Sequence, residues 1–145
     1  LNLIKDQLNG TFLLLNGDIF TDLNFPKLLE NHENNGSIGT VAIHKREVNI
    51  DFGVVKKDSD NKIIGWDEKP QLDYFVSTGI YIFNSEILAY LSSESFFNVP
   101  DLIMQASDSV KGVSTYHHQG FWLDIGREDD YVEACKLHEK LFENK

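Results

Sequence analysis

The first apolar run of the chain, Phe12-Leu13-Leu14-Leu15, is led by Thr11 and stops at Asn16-Gly17-Asp18. A short continuous run that breaks at a turn predicts a strand over Thr11–Leu15, buried on both faces, with Asp18 just past its carboxyl end. Between Phe25 and Asn35 the period changes: Phe25, Leu28, Leu29 and His32 recur at helical spacing, and Asn34-Asn35-Gly36 follows as a stop signal. Ile38 to His44 alternates as a strand. Phe52 to Lys56 and Lys62 to Asp67 are two more, joined through Ser59-Asp60-Asn61 as a hairpin with a polar loop. Val76 to Phe83 is rich in β-branched and aromatic residues, and its mid-strand Gly79 marks either a bulge or a group that approaches the backbone closely. Ser85 to Leu91 and Val99 to Val110 read as helices, the second capped by Asn98 with Pro100 in its first turn. Short strands, Val113 to His117 and Phe121 to Ile125, flank Gln119-Gly120. From Glu128 onward one apolar stripe of Tyr131, Ala134, Cys135, His138, Leu141 and Phe142 predicts a closing helix, with Glu128, Asp129 and Asp130 in the first turn where the dipole favours them. Strands and helices alternate, with an antiparallel insertion around residues 52 to 83, so the class is α/β.

Composition narrows the function by exclusion. The 145 residues are 41% hydrophobic and 25% charged, an ordinary balance for one domain. No apolar run approaches the ~20 residues of a spanning helix, so no membrane partner is expected. Thirteen Lys and Arg against 23 Asp and Glu give a formal charge of −10, which argues against nucleic acid and anionic membranes as partners. The single cysteine, Cys135, cannot close an intramolecular disulfide, and no signal-like segment opens the chain, so the expected location is cytoplasmic. The first residue is Leu1 rather than Met, which leads us to expect a piece of a longer protein.

Two aspartates stand where an α/β sheet gathers ligands, beyond the carboxyl ends of strands. Asp18 follows the first strand, and Asp124 follows Phe121-Trp122-Leu123 and precedes Ile125-Gly126. Two such carboxylates are what a phosphate-bound Mg²⁺ takes from a protein; a turn-capping or helix-capping role is the alternative for each. Glu68-Lys69-Pro70 closes the strand from Lys62, and Pro70 is expected to hold Lys69 extended, aiming its ammonium at a fixed point such as a phosphate. The alternative is a solvated strand end with an exposed ion pair. Gly53 and Gly79 either admit a flat ligand against the backbone or are bulges. His117 and His118 point to opposite faces of a strand and cannot chelate together. Cys135, on the stripe of the last helix, is expected to be packed. No Ser-His-Asp or Cys-His arrangement stands out.

Taken in order, Phe12-Leu13-Leu14-Leu15-Asn16-Gly17-Asp18, Phe52-Gly53-Val54-Val55, Glu68-Lys69-Pro70, Val76-Ser77-Thr78-Gly79-Ile80-Tyr81 and Trp122-Leu123-Asp124-Ile125-Gly126-Arg127 resemble the sugar-1-phosphate nucleotidyltransferases, the sugar-nucleotide pyrophosphorylases of the glucose-1-phosphate thymidylyltransferase and mannose-1-phosphate guanylyltransferase kind. The similarity runs from about Leu3 to Phe142. It implies a Rossmann-like, GT-A-like mixed sheet flanked by helices. It also implies that Asp18 and Asp124 hold Mg²⁺, that Lys69 contacts the sugar phosphate and Glu68 the sugar hydroxyls, and that Gly53, Ser77, Thr78, Gly79 and Trp122 line the substrate. Ser77-Thr78 stand where many members carry Asn-Ala, and Glu128 where many have Pro.

One family feature has no counterpart in this sequence: a Gly-rich loop containing Arg, followed by Pro-Lys, that cradles the nucleoside triphosphate. The resemblance therefore implies that residues 1–145 are the C-terminal, sugar-phosphate-binding part of a single nucleotidyltransferase domain, and that the N-terminal nucleotide-binding portion, roughly 90 to 100 residues, is missing. The implied reaction of the intact parent is attack of a sugar 1-phosphate on a nucleoside triphosphate, giving NDP-sugar and pyrophosphate, with the fragment inactive alone. A non-catalytic sugar-phosphate-binding or regulatory module is the alternative; a Mg²⁺-dependent phosphatase is a third, although no Asp nucleophile with a paired acid is apparent. In the resembling fold the strand ending at Asp18 lies beside the missing first strand. Its edge is then expected to be covered by self-association with a second copy, or by Leu1 to Leu8 folding over it.

Overall fold

The computed structural model describes residues 1, 3–91 and 98–142. In chain order its elements are β1 (Thr11–Leu15), β2 (Ile19–Thr21), α1 (Phe25–Asn35), β3 (Gly39–Asn49), β4 (Val54–Lys57), β5 (Ile63–Asp67), β6 (Gln71–Asn84), α2 (Val99–Ser107), β7 (Val113–His118), β8 (Trp122–Asp124) and α3 (Glu128–Phe142), with short 3₁₀ segments at Lys5–Gln7 and Ser85–Tyr90. Four strands form a mixed sheet in the order β1-β6-β3-β7. β6 runs antiparallel to both its neighbours, and β7 runs parallel to β3. β2 and β8 form a separate antiparallel ribbon, and β4 and β5 the expected hairpin.

The period-2 pattern of the central strands builds two cores, one on each face of the sheet. Val41, Tyr81 and Phe83 face Ile87, Leu102 and Ala106 of the second 3₁₀ segment and α2. Ala42, Ile80 and Ile82 face Leu23 and Leu28 on the side of α1. Burial of such side chains contributes about 1.5 to 3 kcal/mol each, which makes β3 and β6 the thermodynamic centre of the molecule. His32 belongs to neither core. Although it lies on the buried side of α1, its Nε2 donates to Asn84 Oδ1 at 3.1 Å, and its Nδ1 accepts from the Thr40 hydroxyl at 2.8 Å. The helices start as expected. Asn24 Oδ1 caps α1 through Lys27 N–H and Asn98 Oδ1 caps α2 through Asp101 N–H, while Gly36, at φ 63°, ends α1.

Four expectations are corrected. β1 is not buried on both faces: it is an edge strand, and Leu13 and Leu15 remain 44% and 48% exposed. Among the described residues nothing pairs with its outer edge, and the segment from Leu3 to Leu8 does not fold across it; Leu1 packs instead on the α2-side core. The stripe of α3 is largely uncovered. Ala134 is its buried member among the described side chains, while Tyr131 and Cys135 are exposed, because α3 meets the rest of the chain chiefly at β8 and no second layer of described residues lies over it. Cys135 is therefore not packed, and the side chains of Leu141 and Phe142 lie outside the description. Ser85–Tyr90 is a 3₁₀ segment rather than an α-helix.

β3 and β6 also run further than their apolar alternation predicts. They continue as a polar two-stranded ribbon, Lys45–Asn49 against Gln71–Phe75, where cross-strand pairs such as Lys45–Asp73 at 3.0 Å take over from core packing. The hydrogen bonds that the Lys45 ammonium donates to Asp73 and then to Glu47 hold its pKa above the usual lysine value. Among the described residues no helix is long and apolar enough to cross a membrane.

Candidate functional site

The ribbon of β2 and β8 brings the two aspartates together. Ile19 pairs with Asp124 and Thr21 with Trp122, so the start of β2 lies beside the end of β8. Asp18, one residue before β2, and Asp124, the last residue of β8, then share one end of the ribbon. Ile125 N–H donates to Asp18 O at 2.8 Å and closes that end. The two carboxylates flank Gly126: a Cβ there would lie 3.0 Å from Asp124 Oδ1 and 3.5 Å from Asp18 Oδ2. Gly126 N–H donates to Asp124 Oδ1 at 3.0 Å, whereas the Asp18 carboxylate takes no hydrogen bond from a described residue. Both carboxylates are exposed.

This donor set fits a hard, oxygen-seeking cation. An oxygen of each carboxylate lies beside Gly126, and the Asp18 carboxylate retains its full acceptor capacity among the described residues. Among the described residues there is no cluster of three or more His, Cys, Asp or Glu, so the protein would supply two ligands and leave the remaining positions to water and phosphate.

The bulge in β6 locks the ribbon to the main sheet. Between Val41↔Tyr81 and Ile43↔Ser77 the register shifts, and Gly79 sits in the shift at φ 74°. The bulge and a close approach coincide at this glycine, because a Cβ would also lie 2.6 Å from Asn16 Nδ2 in the turn that leads to Asp18. Asn16 N–H donates to Gly79 O at 3.0 Å, and Trp122 Nε1 to Thr78 O at 2.9 Å. Thr78, buried at 2% exposure, donates its hydroxyl to Ala42 O. Its side chain thus serves the scaffold, whereas Ser77 stays exposed.

His118 was not anticipated in this role. It is buried, and its Nε2 lies 3.0 Å from Phe121 O, 3.1 Å from Asp22 Oδ1 and 3.2 Å from Thr21 Oγ1, which ties β7 to both strands of the ribbon. His44 Nδ1 donates to His118 O at 3.2 Å. His117 points the other way and meets the edge of Phe75. The pair diverges as strand geometry requires. No sequence signal separates His118 from an ordinary core histidine, because its partners lie in and beside β2 and β8, three-residue strands too short to show a pattern.

Gly53, Glu68 and Lys69 form a second group at the β4–β5 hairpin and the turn that follows it. Lys69 is not extended. It adopts φ 45°, in the left-handed region, so the turn from β5 into β6 overrides the usual effect of the following proline. Its ammonium is exposed and has no partner among the described residues. Trp66 Nε1 donates to Glu68 Oε2 at 2.9 Å, and the space beside Gly53 is filled by the Trp66 indole. A cleft of about 690 Å³ opens beside Asp124, lined among others by His44, Arg46, Trp122, Arg127 and Glu133.

A mixed sheet flanked by helices, with a small ribbon beside it that brings two carboxylates together, places the molecule in the α/β class. The chain belongs to the nucleotidyl transferase family, whose model matches residues 1–140. It is 31% identical over 129 residues to the mannose-1-phosphate guanylyltransferase catalytic subunit beta of Drosophila pseudoobscura pseudoobscura, covering 88% of this chain and 34% of that protein. It is 32% identical over 135 residues to the UTP–glucose-1-phosphate uridylyltransferase of Synechocystis sp., covering 88% and 35%. Among solved structures, a Bacillus anthracis chain assigned as a glucose-1-phosphate thymidylyltransferase, in complex with a sucrose, superposes with a TM-score of 0.69 at 21% identity over 96% of this chain and 59% of that one, which shows the shared fold. The chain spans about a third of the length of these curated relatives.

Proposed function

We propose that this chain carries the cation-binding and sugar-phosphate-binding part of a cytoplasmic sugar-1-phosphate nucleotidyltransferase. The observation that carries the reading is the convergence of Asp18 and Asp124 on the space beside Gly126. In the proposed reaction a sugar 1-phosphate oxygen attacks the α-phosphorus of a nucleoside triphosphate, forming the new P–O bond as the bond to pyrophosphate breaks. The nucleophile is already anionic near neutral pH, so the protein needs no general base; positioning and charge neutralisation suffice. Asp18 and Asp124 would hold Mg²⁺, which when bound neutralises charge on the phosphates. Lys69 would hold the acceptor phosphate as a point charge, and Glu68 would accept from sugar hydroxyls. The bulge at Ser77–Gly79 and Trp122 would keep the carboxylates in place beside them.

Calorimetry on the purified chain tests this. Glucose 1-phosphate or mannose 1-phosphate is expected to bind in the presence of Mg²⁺, and Lys69→Ala to weaken that binding about tenfold. A chain that binds free triphosphate as tightly as the sugar phosphates would contradict the assignment. A second reading is a non-catalytic sugar-phosphate-binding or regulatory module. On either reading, the chain incubated with the four common triphosphates and several sugar 1-phosphates is expected to release no pyrophosphate, since an unpositioned reactant forfeits the proximity advantage. Release would refute that expectation and the second reading together.

A further inference from the structure

On the β4–β5 hairpin, Trp66 is 58% exposed and lies opposite Val55. Glu68, just past the end of β5, is brought to the indole by a hydrogen bond from Trp66. Val55 is exposed as well, at 45%, so Trp66 and Val55 form an apolar patch with the Glu68 carboxylate beside it.

Two contacts fix the indole. A Cβ on Gly53 would lie 2.7 Å from Trp66 Cε2 and 2.9 Å from Nε1, so the ring rests in room that only glycine provides. The same Nε1 donates to Glu68 Oε2 at 2.9 Å. An exposed aromatic held at two points is already oriented before anything binds, so little side-chain entropy is lost on contact. Glu68 Oε2 takes one N–H from the indole, which leaves its remaining lone pairs, including both on Oε1, to accept from other donors.

A hexose matches this pair of groups. One face of a pyranose ring presents C–H hydrogens of slight positive charge, and the face of an indole is the negative side of its quadrupole. The rim of the same sugar presents hydroxyl donors, for which an ionised carboxylate is a strong acceptor. We propose that Trp66 is a contact and specificity residue for the acceptor: its open face receives the sugar ring, and its N–H holds Glu68 in position to accept from the hydroxyls. The proposal rests on the reading that Lys69, the next residue along, takes the phosphate of the same molecule.

The test compares the whole 145-residue chain with Trp66→Ala and Trp66→Phe by calorimetry, using glucose 1-phosphate, mannose 1-phosphate and inorganic phosphate as probes. Trp66→Ala is expected to weaken the sugar phosphates about tenfold and to leave inorganic phosphate unchanged. Trp66→Phe keeps a ring but loses the N–H, and is expected to fall between the two. That split cannot come from a merely loosened hairpin, which would weaken all three probes alike; equal losses for all three would overturn the proposal. Sugar phosphates bound equally well by Trp66→Ala and the unsubstituted chain would overturn the role of Trp66 and leave the role of Lys69 standing. An unsubstituted chain that binds none of the three probes would overturn both.

Discussion

At position 79 a Cβ would stand 2.6 Å from Asn16 Nδ2 on a backbone at φ 74°, so Gly79→Ala must either push the Asn16 turn away or unwind the bulge. Strain of that kind costs on the order of 1–3 kcal/mol. Urea denaturation is expected to show a lower midpoint at an unchanged slope, and an unchanged midpoint would mean that the turn yields freely. The same displacement would move Asp18, so divalent-cation affinity should fall with stability. Gly79 is legible in the sequence because a lone glycine in a β-branched run has few explanations. Lys69 is half legible. Its charge beside Glu68 and Pro70 marks it, but the rule for residues before proline describes an unconstrained dipeptide, and the turn into β6 places it at φ 45° instead. Cys135 departs from expectation for a related reason: a helical stripe shows which side chains could be buried, and only a covering layer decides whether they are.

Among the elements, the β2–β8 ribbon is small and depends on its anchors. Three-residue strands have little pairing energy of their own, and His118 supplies contacts to Thr21, Asp22 and Phe121 O in one place. His118→Ala is expected to lower stability by about 1–3 kcal/mol. It is also expected to weaken divalent-cation binding although neither carboxylate has changed, a change that a Mn²⁺ titration would detect. Full retention of Mn²⁺ affinity would show that the ribbon holds its shape without the histidine. Most of the longer elements follow from the hydrophobic period, since β1, α1, α2, the β4–β5 hairpin and the core of β6 are local patterns. The pairing of β2 with β8 is not local. Nothing in Ile19-Phe20-Thr21 announces a partner at Trp122-Leu123-Asp124, so the family resemblance implies the convergence of the aspartates while their spacing is silent on it.

On the scale of the whole molecule, the free edge of β1 is the conspicuous liability. It leaves Leu13 and Leu15 half exposed, and Leu13 with Phe12, Phe25 and Leu29 lines an apolar groove of about 450 Å³. A flat edge with apolar side chains and unpaired backbone groups is a template for another strand. We expect the chain to self-associate there, strand to strand. Light scattering should report a dimer or larger species, and Leu13→Lys, a charge on the edge, should shift it toward monomer. A monomer at all concentrations would mean that the edge is protected in another way. The net charge of −10 opposes indiscriminate aggregation, so a defined species is the expected form.

The proposed function depends above all on the pair Asp18 and Asp124, and cation binding tests it most directly. Titration of Mn²⁺ into the chain, followed by its electron paramagnetic resonance signal in the presence of glucose 1-phosphate, is expected to reveal one site. Asp18→Asn and Asp124→Asn should each abolish it, because each removes one of the two anionic ligands from the same point. Retention of the site in either variant would contradict the proposed function.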